Sequence, residues 1–88
     1  MTVSAEWGEL VVPGRAMLDG RNPQGVVTVE RINIWKTPDR NPPQVAFSLR
    51  NYSPVSLISV TRAGDLIMFE IEANGMRGWV SELFVAPY

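Results

Sequence analysis

The sequence predicts a small all-β domain, a barrel or sandwich built from short strands. Three observations lead there. Apolar and polar residues alternate in short runs such as Ile32-Asn33-Ile34 and Val55-Ser56-Leu57, the period that directs alternate side chains to one face of a sheet. Turn formers separate these runs at close intervals, at Asp19-Gly20, Asn51 to Pro54, Gly64-Asp65 and Asn74-Gly75. No stretch carries its apolar residues at helical spacing.

Taken in order, Glu9 to Val12 reads as a short strand stopped by Pro13-Gly14, and Arg15 to Leu18 as another ending at Asp19-Gly20. Gly20 to Gly25 is dense in turn formers and reads as a loop. Residues 1–24 therefore form an N-terminal arm that adds a strand or hairpin to the domain. The alternatives are a mobile tail and an arm that docks on a partner. Leu10, Val11, Val12, Met17 and Leu18 are too apolar for a solvated tail. From Gly25 onward the chain is strand and turn. Val26 to Glu30 is β-branched, and Ile32 and Ile34 alternate with Asn33 and Trp35. Lys36 to Gln44 is a long loop, whose three prolines keep it out of a central strand. Val45 to Leu49, Val55 to Val60, Leu66 to Glu72 and Met76 to Val80 are the remaining strands. Asn74-Gly75 closes a tight hairpin, because both residue types tolerate positive φ. Ser81 to Phe84 reads as one 3₁₀ turn leading to a last strand at Val85. Alternation selects Ile32, Ile34, Val45, Leu49, Val55, Leu57, Phe69, Ile71 and Val80 for the core, each contributing ~1.5–3 kcal/mol when buried.

Composition narrows the functional classes. The chain has 88 residues, enough for one domain with a small core. A net charge of −1 argues against a general binder of nucleic acid or anionic membranes. With no cysteine and no histidine, the sequence offers no disulfide, no thiolate chemistry, no usual zinc ligand set and no usual general base. No cofactor or metal is expected. Glu70 and Glu72 share one face of a strand, the spacing of a glycosidase pair, but a solvated charged face explains them better. No phosphate-cradling loop or nucleophile–base set is present, so the chain reads as noncatalytic. The first residues lack the basic and apolar regions of a signal peptide, and no apolar run approaches the ~20 residues that span a bilayer. The expected location is cytoplasmic if the chain is full length, and the cell envelope or the medium if it is a fragment of an exported protein.

The hairpin, the Gly78-Trp79-Val80 strand and the one-turn helix resemble the closing segment of a small SH3-like β-barrel. Upstream, Val27-Thr28-Val29, Ile32-Asn33-Ile34-Trp35-Lys36-Thr37-Pro38, Val45 to Leu49 and Val55-Ser56-Leu57 follow at the spacing of a bacterial SH3-type (SH3b) domain. The resemblance runs from Gly25 to Val85, about two-thirds of the chain, and makes residues 25–88 the barrel. It implies a noncatalytic binding module, of a family often attached to cell-wall enzymes and often binding peptidoglycan peptides or other proteins.

Alternation places Trp35 outward, beside the proline-rich loop, where an exposed indole makes a stacking platform and interface anchor. Its plainer role is to cover the barrel beneath that loop or the arm. Lys36, Asp39 and Arg40 belong to the loop that borders the groove in SH3-like folds, and Asp39 and Arg40 at its tip suit a charged peptide group. As a solvated pair they contribute little. Tyr52, in the turn before Val55, is placed to form the other wall of the same groove or to lie half-buried on the barrel. Trp79 reads as structural, its neighbour Gly78 permitting close strand approach. Trp7 and Tyr88 pack together if the termini meet. The expected function is binding of a protein or peptide, a cell-wall peptide among them, through Trp35, Lys36, Asp39, Arg40 and Tyr52. The alternative is an assembly subunit that self-associates or docks through its arm and barrel edge. A third class, single-stranded nucleic-acid binding, draws on Arg31, Lys36, Arg40 and Arg50 near Trp35, and Glu30 and Asp39 stand against it.

Overall fold

The computed structural model describes residues 1–20 and 29–88. Strands β1 (Thr2–Ala5) and β2 (Gly8–Val11) form an antiparallel hairpin of their own. The other strands are β3 (Gly14–Leu18), β4 (Arg31–Trp35), β5 (Val45–Arg50), β6 (Pro54–Ala63), β7 (Leu66–Ala73), β8 (Met76–Ser81) and β9 (Val85–Pro87). They form one seven-stranded sheet in the order β5-β4-β8-β7-β6-β3-β9. The protein is all-β, and the single helical turn among the described residues is the 3₁₀ turn Glu82–Phe84 between β8 and β9. Most of the expected 20–25 loop, and the expected strand residues Val26, Val27 and Thr28, lie outside the described residues.

The turns have the local chemistry their sequences require. Asn74 and Gly75 take φ of 54° and 78°, the left-handed pair that lets β7 and β8 meet through two residues. Ser81 caps the 3₁₀ turn by accepting a hydrogen bond from the Leu83 N–H at 3.2 Å. Glu82 reaches back to accept from the Ile67 N–H at 3.0 Å, tying the turn to β7.

Strand β6 shapes the sheet. Pro54 to Leu57 pair with β3, while Ser56 to Ala63 pair with β7. The register shifts between Leu57 and Ser59, which leaves Ile58 without an opposite residue in the ladder. Such a bulge bends a strand and increases its twist. The sheet curls around one core, and the molecule measures 30 × 29 × 28 Å, rounded rather than layered. Among the described residues β5 and β9 are its two edges and do not pair with each other, so these strands form no closed barrel.

The core joins both ends of the chain. Leu10, Val12, Ala16 and Leu18 pack in the same cluster as Ile34, Leu57, Phe69, Ile71 and Val80. β3 lies inside the sheet, paired with β6 on one side and β9 on the other. Leu18 is fully buried. The Met1 amine donates to the Val12 carbonyl at 3.0 Å, and the Val12 N–H to the Met1 carbonyl at 2.8 Å. The Trp7 indole N–H donates to the Leu83 carbonyl at 2.8 Å, while the Arg15 guanidinium lies 4.8 Å from the Tyr88 ring centre.

One expected core residue is misplaced. Val45 is 45% exposed. The ladder between β4 and β5 shifts after Ile34, so that Ile34 opposes Phe47 and Trp35 opposes Val45. Directly opposite residues share a face, and Val45 accordingly joins Trp35 on the outer side. Met68 was not anticipated. It is fully buried next to fully buried Phe69, which means both faces of β7 are covered there. Leu18→Ala should therefore cost about 2–5 kcal/mol, and Val45→Ala should stay within about 0.5 kcal/mol of the parent. Urea denaturation of the two variants measures this, and comparable losses would contradict the bulged register.

Candidate functional site

The site begins with β4. Ile32 and Ile34 point into the core at 3% and 0% exposure, so Arg31, Asn33 and Trp35 share the outer face. Among the described residues β4 joins the rest of the sheet through one pair, Trp35 opposite Trp79 of β8. Gly78 makes this approach feasible. A Cβ there would sit 2.5 Å from Ile34 Cγ2 and 2.9 Å from the Trp35 carbonyl oxygen. The register then places Val45, Trp35, Trp79, Glu70 and Ser59 in one outer row across five strands. Trp35 and Trp79 are both half-buried in it, and such aromatic cross-strand pairs contribute roughly 0.2–1 kcal/mol.

The loop after β4 folds back over this row. Its neck is closed by the Lys36 N–H donating to the Gln44 carbonyl at 2.9 Å. Asp39 Oδ1 accepts from the Asn41 N–H at 3.3 Å, an Asx-type bond that occupies the carboxylate within its own turn. Asp39 therefore does not pair with Arg40. Arg40 takes a left-handed φ of 53°, and its guanidinium carbon lies 5.8 Å from the Trp35 ring centre, within cation–π range.

Two clefts open on this side. The first, about 310 Å³, is lined by Val29, Arg31, Ile32, Asn33, Trp35, Arg40 and Phe84. The second, about 470 Å³, is lined by Glu30, Arg31, Arg50, Asn51 and Tyr52. Arg31 borders both. Trp35 and Arg40 are thus brought together, whereas Tyr52 stands in the other cleft. Arg31 opposes Arg50 at one end of the β4–β5 ladder and Trp35 opposes Val45 at the other, a separation of roughly 13 Å along the strand. Lys36 and Asp39 line neither cleft.

Tyr52 is nevertheless firmly placed. Its φ is 68°, and its N–H donates to the Leu18 carbonyl at 2.8 Å and to Asn51 Oδ1 at 3.1 Å. Asn51 Oδ1 also accepts from the Gly20 N–H at 2.8 Å. The turn is pinned to β3 by its backbone, leaving the phenol ring 52% exposed.

Alternation along β4 already put Asn33 on the face of Trp35. Phe84 was invisible as a lining residue, because it arrives from the 3₁₀ turn far away in sequence. Glu70 and Glu72 are engaged rather than poised for chemistry. Glu70 accepts from the Ser59 hydroxyl at 2.9 Å, and Glu72 pairs with Arg77 at 2.9 Å. The hydrogen bond to Glu72, and then its charge, raise the Arg77 guanidinium further above its ordinary value. Among the described residues no group of three or more His, Cys, Asp or Glu is placed to hold a metal ion, and no helix is long and apolar enough to cross a membrane.

No protein-family model matches the chain, and neither the curated proteins nor the solved structures contain a match.

Gly78→Ala should destabilise the protein by about 1–3 kcal/mol, since the new methyl meets backbone as well as side chain. It should also loosen the Trp35–Trp79 pair. Denaturation curves and a red shift of tryptophan emission in the native state are the readouts, and a variant unchanged in both would show that the strands tolerate a wider spacing.

Proposed function

We propose that the chain is a noncatalytic interaction module of the SH3-like kind, binding a protein or peptide segment on the outer face of β4. The observation that carries this reading is the groove at Trp35. Its indole is backed by Trp79 across the ladder and flanked by Arg40, and it forms a wall beside Phe84 and Asn33. A half-buried aromatic side chain held by neighbours loses little entropy when a ligand packs on it. A small curled sheet has its interior filled by side chains, so ligands are received on the surface between strands and loops.

The SH3-like assignment draws support from the order of the closing elements. The Asn74-Gly75 hairpin, the Gly78-Trp79-Val80 strand, one 3₁₀ turn and a short last strand follow one another as the resemblance leads one to expect. The bend in β6 supplies curvature of the sort a small barrel needs. Cell-wall peptides are among the ligands the resemblance brings with it. The assembly reading loses its main element, because Leu10, Val12 and Leu18 are buried within the protein's own core.

Strain supports the same face. Arg40, beside Trp35, is a non-glycine residue with positive φ, while Tyr52, which is also at positive φ, stands in the other cleft. Such residues cost of order 1–3 kcal/mol each and concentrate at binding sites. Titrating the isotope-labelled protein with muropeptides and with pooled peptides should move the amides of Asn33, Trp35 and Arg40. Trp35→Ala should weaken whichever ligand binds by at least about ten-fold, the scale of a central aromatic anchor. Affinity unchanged in that variant would reject the site.

A further inference from the structure

We infer that the Trp35 groove takes an acidic peptide: an extended segment of a partner protein that sets a carboxylate between Arg31 and Arg40 and an apolar side chain against Trp35 and Phe84. The inference rests on the peptide-binding reading above and adds the partner's chemistry.

Charge is the first argument. The whole chain carries nine acidic and eight basic residues, so a local excess of cations does not follow from composition. The groove is lined by two arginines and, among the described residues, by no carboxylate. The nearby acids are turned elsewhere. Asp39 bonds the Asn41 N–H, and Glu30 lines the adjacent cleft. Arg50 stands directly opposite Arg31 in the ladder and adds positive charge at that end of β4.

Geometry is the second argument. Arg31 donates from Nε to the Ser48 hydroxyl at 3.0 Å and from Nη2 to the Ser48 carbonyl at 3.2 Å. Ser48 is the ladder partner of Asn33. Those bonds draw the guanidinium two positions along β4, roughly 7 Å towards Trp35. They also hold its plane while leaving part of its donor fork unused. Arg40 lies over Trp35 from the other side. The Arg31 head is thus held at the level of Asn33 and the Arg40 head at Trp35, and both residues line one cleft with Asn33. Arginine forks match the two oxygens of a carboxylate, and Trp35 and Phe84 provide apolar surface for the adjoining residue of an extended chain.

A polynucleotide fits less well. It needs a track of cations with stacking rings along it. Here Lys36 lines neither cleft, Trp35 and Tyr52 lie in separate ones, and Glu30 lies in the path beyond Arg31.

The test uses the full chain at low salt with four probes: end-blocked peptides alternating Phe with Glu, with Gln or with Lys, and a short oligo-thymidylate. The Glu peptide should move the amides of Asn33, Trp35, Arg40 and Phe84. It should bind about ten-fold more tightly than the Gln peptide, the Lys peptide being weakest. Arg31→Gln and Arg40→Gln should each remove most of the Glu preference, with native amide dispersion away from the groove reporting that each variant is folded. Equal binding of the Glu and Gln peptides at these amides overturns the acidic assignment and leaves the peptide site standing. Absence of shifts there with every peptide overturns both. Tighter binding of the oligonucleotide than of the Glu peptide overturns the assignment in favour of nucleic acid.

Discussion

The approach of β8 to β4 at Gly78 is the contact on which the Trp35 groove depends. Among the described residues strand β4 reaches the rest of the sheet through the one pair Trp35–Trp79, and a side chain at 78 would meet the Trp35 carbonyl and Ile34. Because the missing Cβ lets the backbones close, Ile34 drops into the core and Trp35 is left outside, alternation doing the rest. The β4–β5 hairpin then carries every residue that lines the groove except Val29 and Phe84. One glycine thus couples the core to the surface.

The second constraint is the sharing of β6. A ten-residue strand that serves β3 at its beginning and β7 along its later length must turn, and the bulge at Ile58 supplies the turn. That bend brings β3 and β9 together at the far side and encloses the apolar residues of the N-terminal segment. A domain of this size buries only roughly 60% of the surface its unfolded chain exposes, so recruiting Leu10, Val12, Ala16 and Leu18 is a substantial part of its core. Trp7 adds a bond from the N-terminal hairpin to the 3₁₀ turn, the same turn that delivers Phe84 to the groove. Stability of the N-terminal segment and shape of the groove are therefore linked through Glu82–Phe84.

The groove pairs a hydrophobic floor with cations whose intramolecular partners are neutral. Arg31 is oriented by Ser48, a hydroxyl and a carbonyl, and Arg40 by an aromatic face. Neutral partners position a guanidinium without cancelling its charge, in contrast to the Arg77–Glu72 pair on β7 and β8. This division separates a face with uncancelled positive charge from one whose charges are paired, on a protein with almost no net charge.

The sequence alone determined what local chemistry controls. Period-two runs marked the strands, Asn74-Gly75 marked the tight turn, and the run opened by Ser81 marked the 3₁₀ turn, since each follows from side chains acting within a few residues. It also put Trp35 outward, because two flanking isoleucines fix the inward face of β4. It left β1 unseen, because Thr2 to Ala5 has too little apolar pattern to separate a strand from a leader. Long-range pairing was decided only in three dimensions. The bulge after Ile34 moved Val45 out of the core, cover on both faces of β7 buried Met68 beside Phe69, and β3 entered between β6 and β9 rather than lining an edge. For the site, the tertiary structure divided Trp35 from Tyr52, turned Asp39 into its own loop, and brought Arg31, Arg40 and Phe84 to one groove. Each of these depends on register and on contacts between residues far apart in the chain, and the pattern of neighbouring residues carries no record of register across strands.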